Sequence, residues 1–291
     1  MNKVIVMTDS NSGITQSEGK KLGIKVVPMP FTIDGEEYYE DINLTQEGFY
    51  EKLKSGANVS TSQPSIAYVS SIWDELLTEY DEVIYIPMSS GLSKSCAAAT
   101  LEAKNNYNGK VYVVDNQRIS VTQRQTVLEA IKMAGEGLTG SEIHAKLEEQ
   151  KMNSDIFIMV DTLAYLKKGG RITPAAAAAG QLLKIKPILQ IKGEKLDKFR
   201  MMNRTISNAK RIMIDAAKES LEVLKQIDGK EDNVVINLAY TGTDTQLVEE
   251  FLEEVKEEFP GKEIYYAPLS LSVSCHIGDG ALAITITKET L

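Results

Sequence analysis

The chain has 291 residues, 43% of them hydrophobic, which suffices for one large packed domain or two ordinary ones and excludes wholesale disorder. Its 32 Lys and Arg against 41 Asp and Glu leave a net charge of -9, with no basic stripe to neutralise a phosphate backbone, so nucleic acid is not an expected partner. The two cysteines, Cys96 and Cys275, and the two histidines, His144 and His276, lack disulfide-framework or zinc-site spacing, which points to a reducing, cytoplasmic setting with no metal or other cofactor.

The apolar stretch Val4 to Met7 is too short for a signal-peptide core and no run approaches a membrane span, so no membrane insertion is expected. It reads as a buried strand running into the polar turn Thr8 to Gly13. A second strand is predicted at Lys25 to Met29. Phe31 to Ile33, the Asp34-Gly35 pair and Glu36 to Tyr39 predict a β-hairpin, with Glu36, Glu37, Glu40 and Asp41 as a solvated acidic face. Val69, Ile72, Trp73, Leu76 and Leu77 have helical spacing; Val83 to Ile86 is a strand ending at Pro87. A helix over Ala97 to Ala103, a strand over Val111 to Val114 and a helix over Thr126 to Ala134 continue the alternation. Such alternation implies a parallel sheet with helices on its faces.

The character changes near Asn153. Asp155 to Val160 is a strand, and Thr173 with Pro174 opens a helix predicted to run to Leu183 through five consecutive alanines. Leu247, Val248, Phe251, Leu252, Val255 and Phe259 mark an amphipathic helix stopped by Pro260-Gly261, and Ala281 to Ile286 is the closing strand. The expected fold is therefore α/β in two domains, a Rossmann-like parallel-sheet domain over residues 1–152 and a second α/β domain over residues 153–291.

Three hydroxyl- and glycine-rich segments stand out: Thr61 to Ser65, Ser89 to Ser93, and His276 to Gly280. Hydroxyls donate hydrogen bonds, glycine admits bare backbone N–H groups, and a following helix N-terminus adds partial positive charge, so such segments suit an anion. Ser89 to Ser93 lies between a strand and a helix, at the carboxyl edge of the sheet where α/β proteins bind ligands, although Ser90 or Ser93 could equally serve as a plain helix cap. Pro64 or Ser65 opens the next helix, which leaves Thr61 and Ser62 to face a ligand. His276 can exchange a proton near neutral pH or be an ordinary satisfied residue; His144, on an exposed helix, has no assigned role, and Cys275 is a packing residue. Lys167 to Arg171 reads either as an anion-neutralising turn or as a helix C-cap with its favourable cations.

Enzyme motifs are incomplete. Gly91-Leu92-Ser93-Lys94-Ser95 has Ser95 where the nucleophile elbow needs glycine, and Lys94-Ser95 lacks the glycines of a phosphate-binding loop. No catalytic residue is assigned in the leading reading. The alternative is an esterase-like serine hydrolase with Ser93 as nucleophile, His276 as base and Asp244 as the orienting acid, an order that matches that class.

The ordered motifs together resemble the DegV family of bacterial fatty-acid-binding proteins, from Thr8-Asp9-Ser10 to His276-Ile277-Gly278 and Gly280-Ala281-Leu282. Leu163 to Ile172 resembles that family's Leu-x-Tyr-Leu-Lys-Lys-Gly-Gly-Arg-Ile stretch, and Lys186-Pro187-Ile188-Leu189 its Lys-Pro-Ile-Leu. The resemblance implies a long-chain fatty acid buried between two α/β domains, its carboxylate held by Thr61, Ser93 and His276; Ser62, Lys94 and Gly278, from the same segments, complete the expected ligand-binding set. Arg171 and Arg204 match family arginines near that end. It also implies a non-catalytic carrier that presents the fatty acid to a separate fatty acid kinase, which makes acyl-phosphate for phospholipid synthesis. The chain departs from the family pattern at Lys94-Ser95, where Gly-Thr is usual, at Thr205 to Asn208, where a basic run is usual, and at Asp279, which replaces a proline. A buried carboxylate needs neutral and dipolar donors of this kind, while a tail of roughly sixteen carbons contributes on the order of 12 kcal/mol before ordering costs.

Overall fold

The computed structural model describes residues 3–179, 185–193, 196–200, 205–227 and 233–290. Strands β1 (Val4–Asp9), β2 (Lys25–Val27), β3 (Phe31–Ile33), β4 (Glu36–Tyr38), β5 (Val59–Thr61), β6 (Glu82–Ile86) and β7 (Val111–Val113) occupy the first part of the chain. Around them lie helices α1 (Gln16–Leu22), α2 (Gln46–Lys54), α3 (Ile66–Leu76), α4 (Ser95–Asn106), α5 (Val121–Gly135) and α6 (Gly140–Glu148). The rest carries β8 (Ser154–Met159), β9 (Ile188–Ile191), β10 (Leu196–Arg200), β11 (Val234–Tyr240), β12 (Ile264–Pro268) and β13 (Leu282–Lys288). Its helices are α7 (Ala164–Gly169), α8 (Pro174–Ala179), α9 (Ile206–Lys225), α10 (Thr245–Glu258) and α11 (Leu271–Ile277).

The predicted parallel sheet is present, with order β2-β1-β6-β7 and every pairing parallel. Both faces are covered, as a parallel sheet requires. Ile5, Met7, Val83 and Tyr85 pack on α3 and α4 around Trp73, while Val6, Ile84 and Ile86 pack on α5 and α6 around Met133 and Leu147. The predicted hairpin forms β3 and β4, turned by Asp34 and Gly35, both at positive φ (51° and 91°). β5 joins β3 to make a small antiparallel sheet of order β4-β3-β5.

The second large sheet is mixed rather than parallel, with order β10-β9-β8-β13-β11-β12 and only β11–β12 parallel. The two-residue period divides its strands between two cores. Phe157, Met159, Ile236, Leu238, Leu282, Ile284 and Ile286 meet α9 and α10 on one face. Ile156, Ile158, Ala239 and Ala283 turn to the other face, where they join Met29, Met88, Leu92, Ile119 and Val121 from the first part of the chain. This shared apolar layer is where the two large sheets' regions meet.

Several expectations change in detail. Helix α9 adds to the predicted elements, with Ala209, Met213, Ala217, Leu221 and Leu224 buried at helical spacing. The helix from Pro174 is described to Ala179, with Thr173 Oγ1 accepting the Ala176 N–H at 3.3 Å; its predicted continuation to Leu183 lies outside the described residues, as does Arg204. Glu40 is not part of a solvated face. Its Oε2 accepts the Leu271 N–H at 2.9 Å and its Oε1 the Gln46 side chain at 2.5 Å, and burial pushes its carboxyl up to about 7. His144 is half-buried, its Nε2 3.0 Å from the Val113 carbonyl. Among the described residues no helix is long and apolar enough to cross a membrane.

Candidate functional site

A cavity of about 370 Å³ opens where the parallel sheet, the small sheet and the mixed-sheet region meet. That volume falls within the roughly 300–1,000 Å³ typical of small-molecule sites. Much of its lining is apolar: Met29, Met88, Leu92, Ile119, Leu166, Leu196, Val273 and Ile277. Thr61, Ser62, Gln63, Ser93, Lys94, Arg171 and His276 supply the polar lining, together with Asn11 and Ser272.

Each polar side chain arrives by a local structural reason. Thr61 ends β5, whose register against β3 pairs it with Phe31, and the chain leaves through Ser62, whose N–H donates to the Pro30 carbonyl at 3.3 Å. Ser65 then caps α3 by accepting the Tyr68 N–H at 3.2 Å, so the helix-start function falls on Ser65 and leaves Thr61 and Ser62 to the cavity. α11 places Ser272, Val273, His276 and Ile277 on one face, since positions four apart lie one turn apart. His276 Nε2 lies 2.8 Å from Thr61 Oγ1, joining two segments 215 positions apart. Burial first, and then the positive charge of Arg171, lower the His276 imidazole to about 4, so it is neutral at pH 7.

The Ser89 to Ser93 segment spends its backbone donors internally. Ser89 N–H goes to the Arg118 carbonyl, Ser90 N–H to Asp115, and the Leu92 and Ser93 N–H groups to the Ser89 carbonyl. What it offers a ligand is the Ser93 hydroxyl, which accepts the Ser95 N–H at 3.2 Å and lies 2.9 Å from Ser95 Oγ. Lys94 precedes α4 without a side-chain cap bond and lines the cavity. Arg171 Nε donates to the Leu92 carbonyl at 3.2 Å and its Nη1 to the Gly169 carbonyl, which lays the guanidinium along the cavity wall. Gly170, left-handed at φ 68°, ends α7, so the Lys167 to Arg171 turn is a helix C-cap that also delivers Arg171 to the cavity.

Gly278 is placed differently from the other sequence candidates. It ends α11 at φ 84°, outside the cavity lining, and a Cβ there would come within 2.7 Å of the Tyr165 ring. Cys275 points into the core of the small sheet with Phe31, Phe49 and Leu271, as packing alone demands. The hydrolase arrangement is not assembled: His276 Nε2 pairs with Thr61, and Asp244 accepts the Leu247 N–H at 3.1 Å as the cap of α10.

Asn11 and Ser272 were not singled out by sequence. Asn11 Oδ1 accepts the Ser270 hydroxyl at 2.9 Å and the Ser272 hydroxyl as well, tying the loop after β1 to α11. Beneath it, fully buried Asp9 accepts the Asn11 and Met88 N–H groups at 3.0 and 2.9 Å and the Gln123 amide at 3.1 Å. Burial pushes the Asp9 carboxyl up to about 6, against the lowering effect of those bonds. The signal available in sequence was a polar turn, Thr8 to Gly13, directly after a buried strand; its partners 259 and 261 positions away were not.

Comparisons with known proteins agree with this architecture. The model of the family described as "Uncharacterised protein, DegV family" matches residues 3–289. A DegV domain-containing protein of Listeria innocua is 31% identical over 290 residues, covering 97% of this chain and 98% of that protein. The crystal structure of DegV, described as a fatty acid binding protein from Bacillus subtilis, superposes with a TM-score of 0.86 at 28% identity, over 99% of this chain and 100% of that one. A fatty acid binding DegV family protein from Streptococcus agalactiae gives a TM-score of 0.87 at 25% identity, over 99% of both chains. With the family model matched over residues 3–289, nearly the whole chain, the chain belongs to the DegV family.

Proposed function

We propose that this protein binds a long-chain fatty acid in the cavity between its two α/β regions, residues 1–152 and 153–291, without chemically altering it. The observation that carries this reading is the composition of one cavity, whose largely apolar lining is combined with the hydroxyls of Thr61, Ser62, Ser93 and Ser272, a neutral imidazole and two cations. An alkyl tail gains about 0.8 kcal/mol for each buried CH₂. A carboxylate among Thr61, Ser93 and His276, with Ser62, Lys94 and Arg171 nearby, replaces its lost water with charge-assisted hydrogen bonds. The Bacillus subtilis and Streptococcus agalactiae neighbours, both described as fatty acid binding, support the ligand class.

The second part of the proposal is that the bound acid is presented, in the cytoplasm, to a separate fatty acid kinase. A carrier role fits a site in which Ser93 is bonded to Ser95 and the imidazole to Thr61 rather than to each other. Native mass spectrometry of the purified protein, with the released molecule identified after denaturation, tests the ligand class. A stoichiometric long-chain fatty acid is expected; an empty protein that also takes up neither oleate nor palmitate removes the proposal.

A further inference from the structure

The imidazole of His276 is held on both of its nitrogen sides. Nε2 faces Thr61 Oγ1 at 2.8 Å, and this is the only protein hydrogen bond of either group's side chain among the described residues. On the opposite side the ring rests on Gly169, where a Cβ would collide with Nδ1 and stand 2.7 Å from Cε1. A reciprocal contact lies two residues beyond His276, where Gly278 has the Tyr165 ring in the space a Cβ would need. Two glycines, one on α7 and one ending α11, thus let these helices meet closely enough to clamp the ring.

The clamp has a chemical consequence. A glycine Cα hydrogen directed at Nδ1 is compatible with a lone pair on that nitrogen, as a weak C–H donor contact, and not with an N–H, which would set hydrogen against hydrogen. The proton of the neutral ring then sits on Nε2 and is donated to Thr61 Oγ1. Thr61 must turn its own O–H elsewhere, and its side chain lines the cavity. We propose that Gly169 is a positioning residue that selects the Nε2–H tautomer of His276 and thereby makes Thr61 a hydrogen-bond donor aimed into the cavity. This rests on the fatty acid reading and deepens it: the site is matched to an ionised carboxylate, which only accepts, and disfavours acyl groups whose polar head has a proton to donate. The charged groups near the ring are Arg171, which opposes its protonation, and Lys94, which lines the same cavity.

The test is nitrogen-15 NMR of the histidine rings in ligand-free protein at pH 7, assigned by His144→Asn because only two histidines exist. A pyrrole-type Nε2 and a pyridine-type Nδ1 in His276 are expected, and Thr61→Ala should move the Nε2 resonance far more than that of Nδ1. Gly169→Ala should abolish the tautomer preference and weaken oleate binding by about tenfold or more, while a folded spectrum elsewhere separates this from general destabilisation. An Nδ1–H tautomer or an imidazolium in the wild-type protein overturns the proposal, whatever becomes of Gly169→Ala. Oleate binding with the wrong tautomer sinks this inference alone; the expected tautomer without uptake of any fatty acid sinks the ligand reading instead.

Discussion

The cavity's polar cluster and its apolar lining are built by opposite means. The cluster comes from chain segments far apart, each pinned by few bonds: Thr61 at the end of β5, Ser93 before α4, Arg171 after α7 and His276 within α11. The lining is the continuation of a core layer, with Met88, Leu92, Ile119, Leu166, Leu196, Val273 and Ile277 all belonging to one buried cluster that spans both large sheets' regions. Losing one apolar contact removes a fraction of a non-directional, area-proportional term, whereas losing one polar partner leaves a buried charge short of a donor. The lining should therefore govern how tightly a ligand is held and the cluster which headgroup is accepted.

The sharpest way to break that comparison is a ligand series. From octanoate to palmitate, eight added CH₂ groups should strengthen binding by ~6 kcal/mol in total, about 0.8 per group, until the tail outgrows the lining. Calorimetric titration that found affinity independent of tail length would remove the lining from the account. Next in size are Thr61→Ala and Ser93→Ala, each expected to weaken binding by roughly 1–3 kcal/mol, the usual cost of removing a hydrogen bond to a charged group. Both variants should lower affinity equally for every tail length and leave the slope of the series unchanged. A changed slope would mean that head and tail contributions are not separable.

The smallest effect concerns pH. His276 has its folded value lowered to about 4 from an ordinary 6.5, so the unfolded chain takes up a proton first as pH falls. Its contribution to stability is fully present above about 6.5 and is lost as pH drops toward 4, with a ceiling of about 2 kcal/mol at pH 5 that residual solvent contact reduces. Asp9 and Glu40, raised to about 6 and about 7, act with the opposite sign: the folded state keeps their protons, and their effect favours the fold toward acid. Urea unfolding at pH 7 and pH 5 should be compared between wild type and His276→Asn. The variant should lose less, or gain more, stability on acidification; identical pH dependence in the two proteins would contradict the buried, neutral imidazole.

Much of the scaffold was legible because strand and helix periods are local properties. The alternation through Ile86 and Val111 predicted the parallel sheet, and Asp34-Gly35 predicted the β3–β4 turn of the small antiparallel sheet. The mixed order of the second sheet was not legible, since β8 and β13 pair across more than a hundred residues and nothing in either strand states its direction. Glu40 shows the same limit. Among Glu36, Glu37 and Asp41 it reads as a solvated charge, and only the arrival of the α11 N-terminus at its carboxylate makes it a half-buried acceptor.

At the site, residue type and local geometry determined the candidates: hydroxyls at strand and helix ends, one histidine beside glycines, and cations at a helix C-cap. Tertiary structure decided their pairings. Thr61 received His276 as its partner, Ser93 received Ser95, and the Ser89 to Ser93 backbone donors were used within the fold. Gly169 is the clearest case, because by sequence it belongs to a flexible turn, and its function as a seat for the imidazole exists only once α7 and α11 are packed. Composition and periodicity act between near neighbours and so can be read along the chain, whereas the partner of a hydrogen bond and the occupant of a glycine's empty side are set by segments a hundred or more residues away.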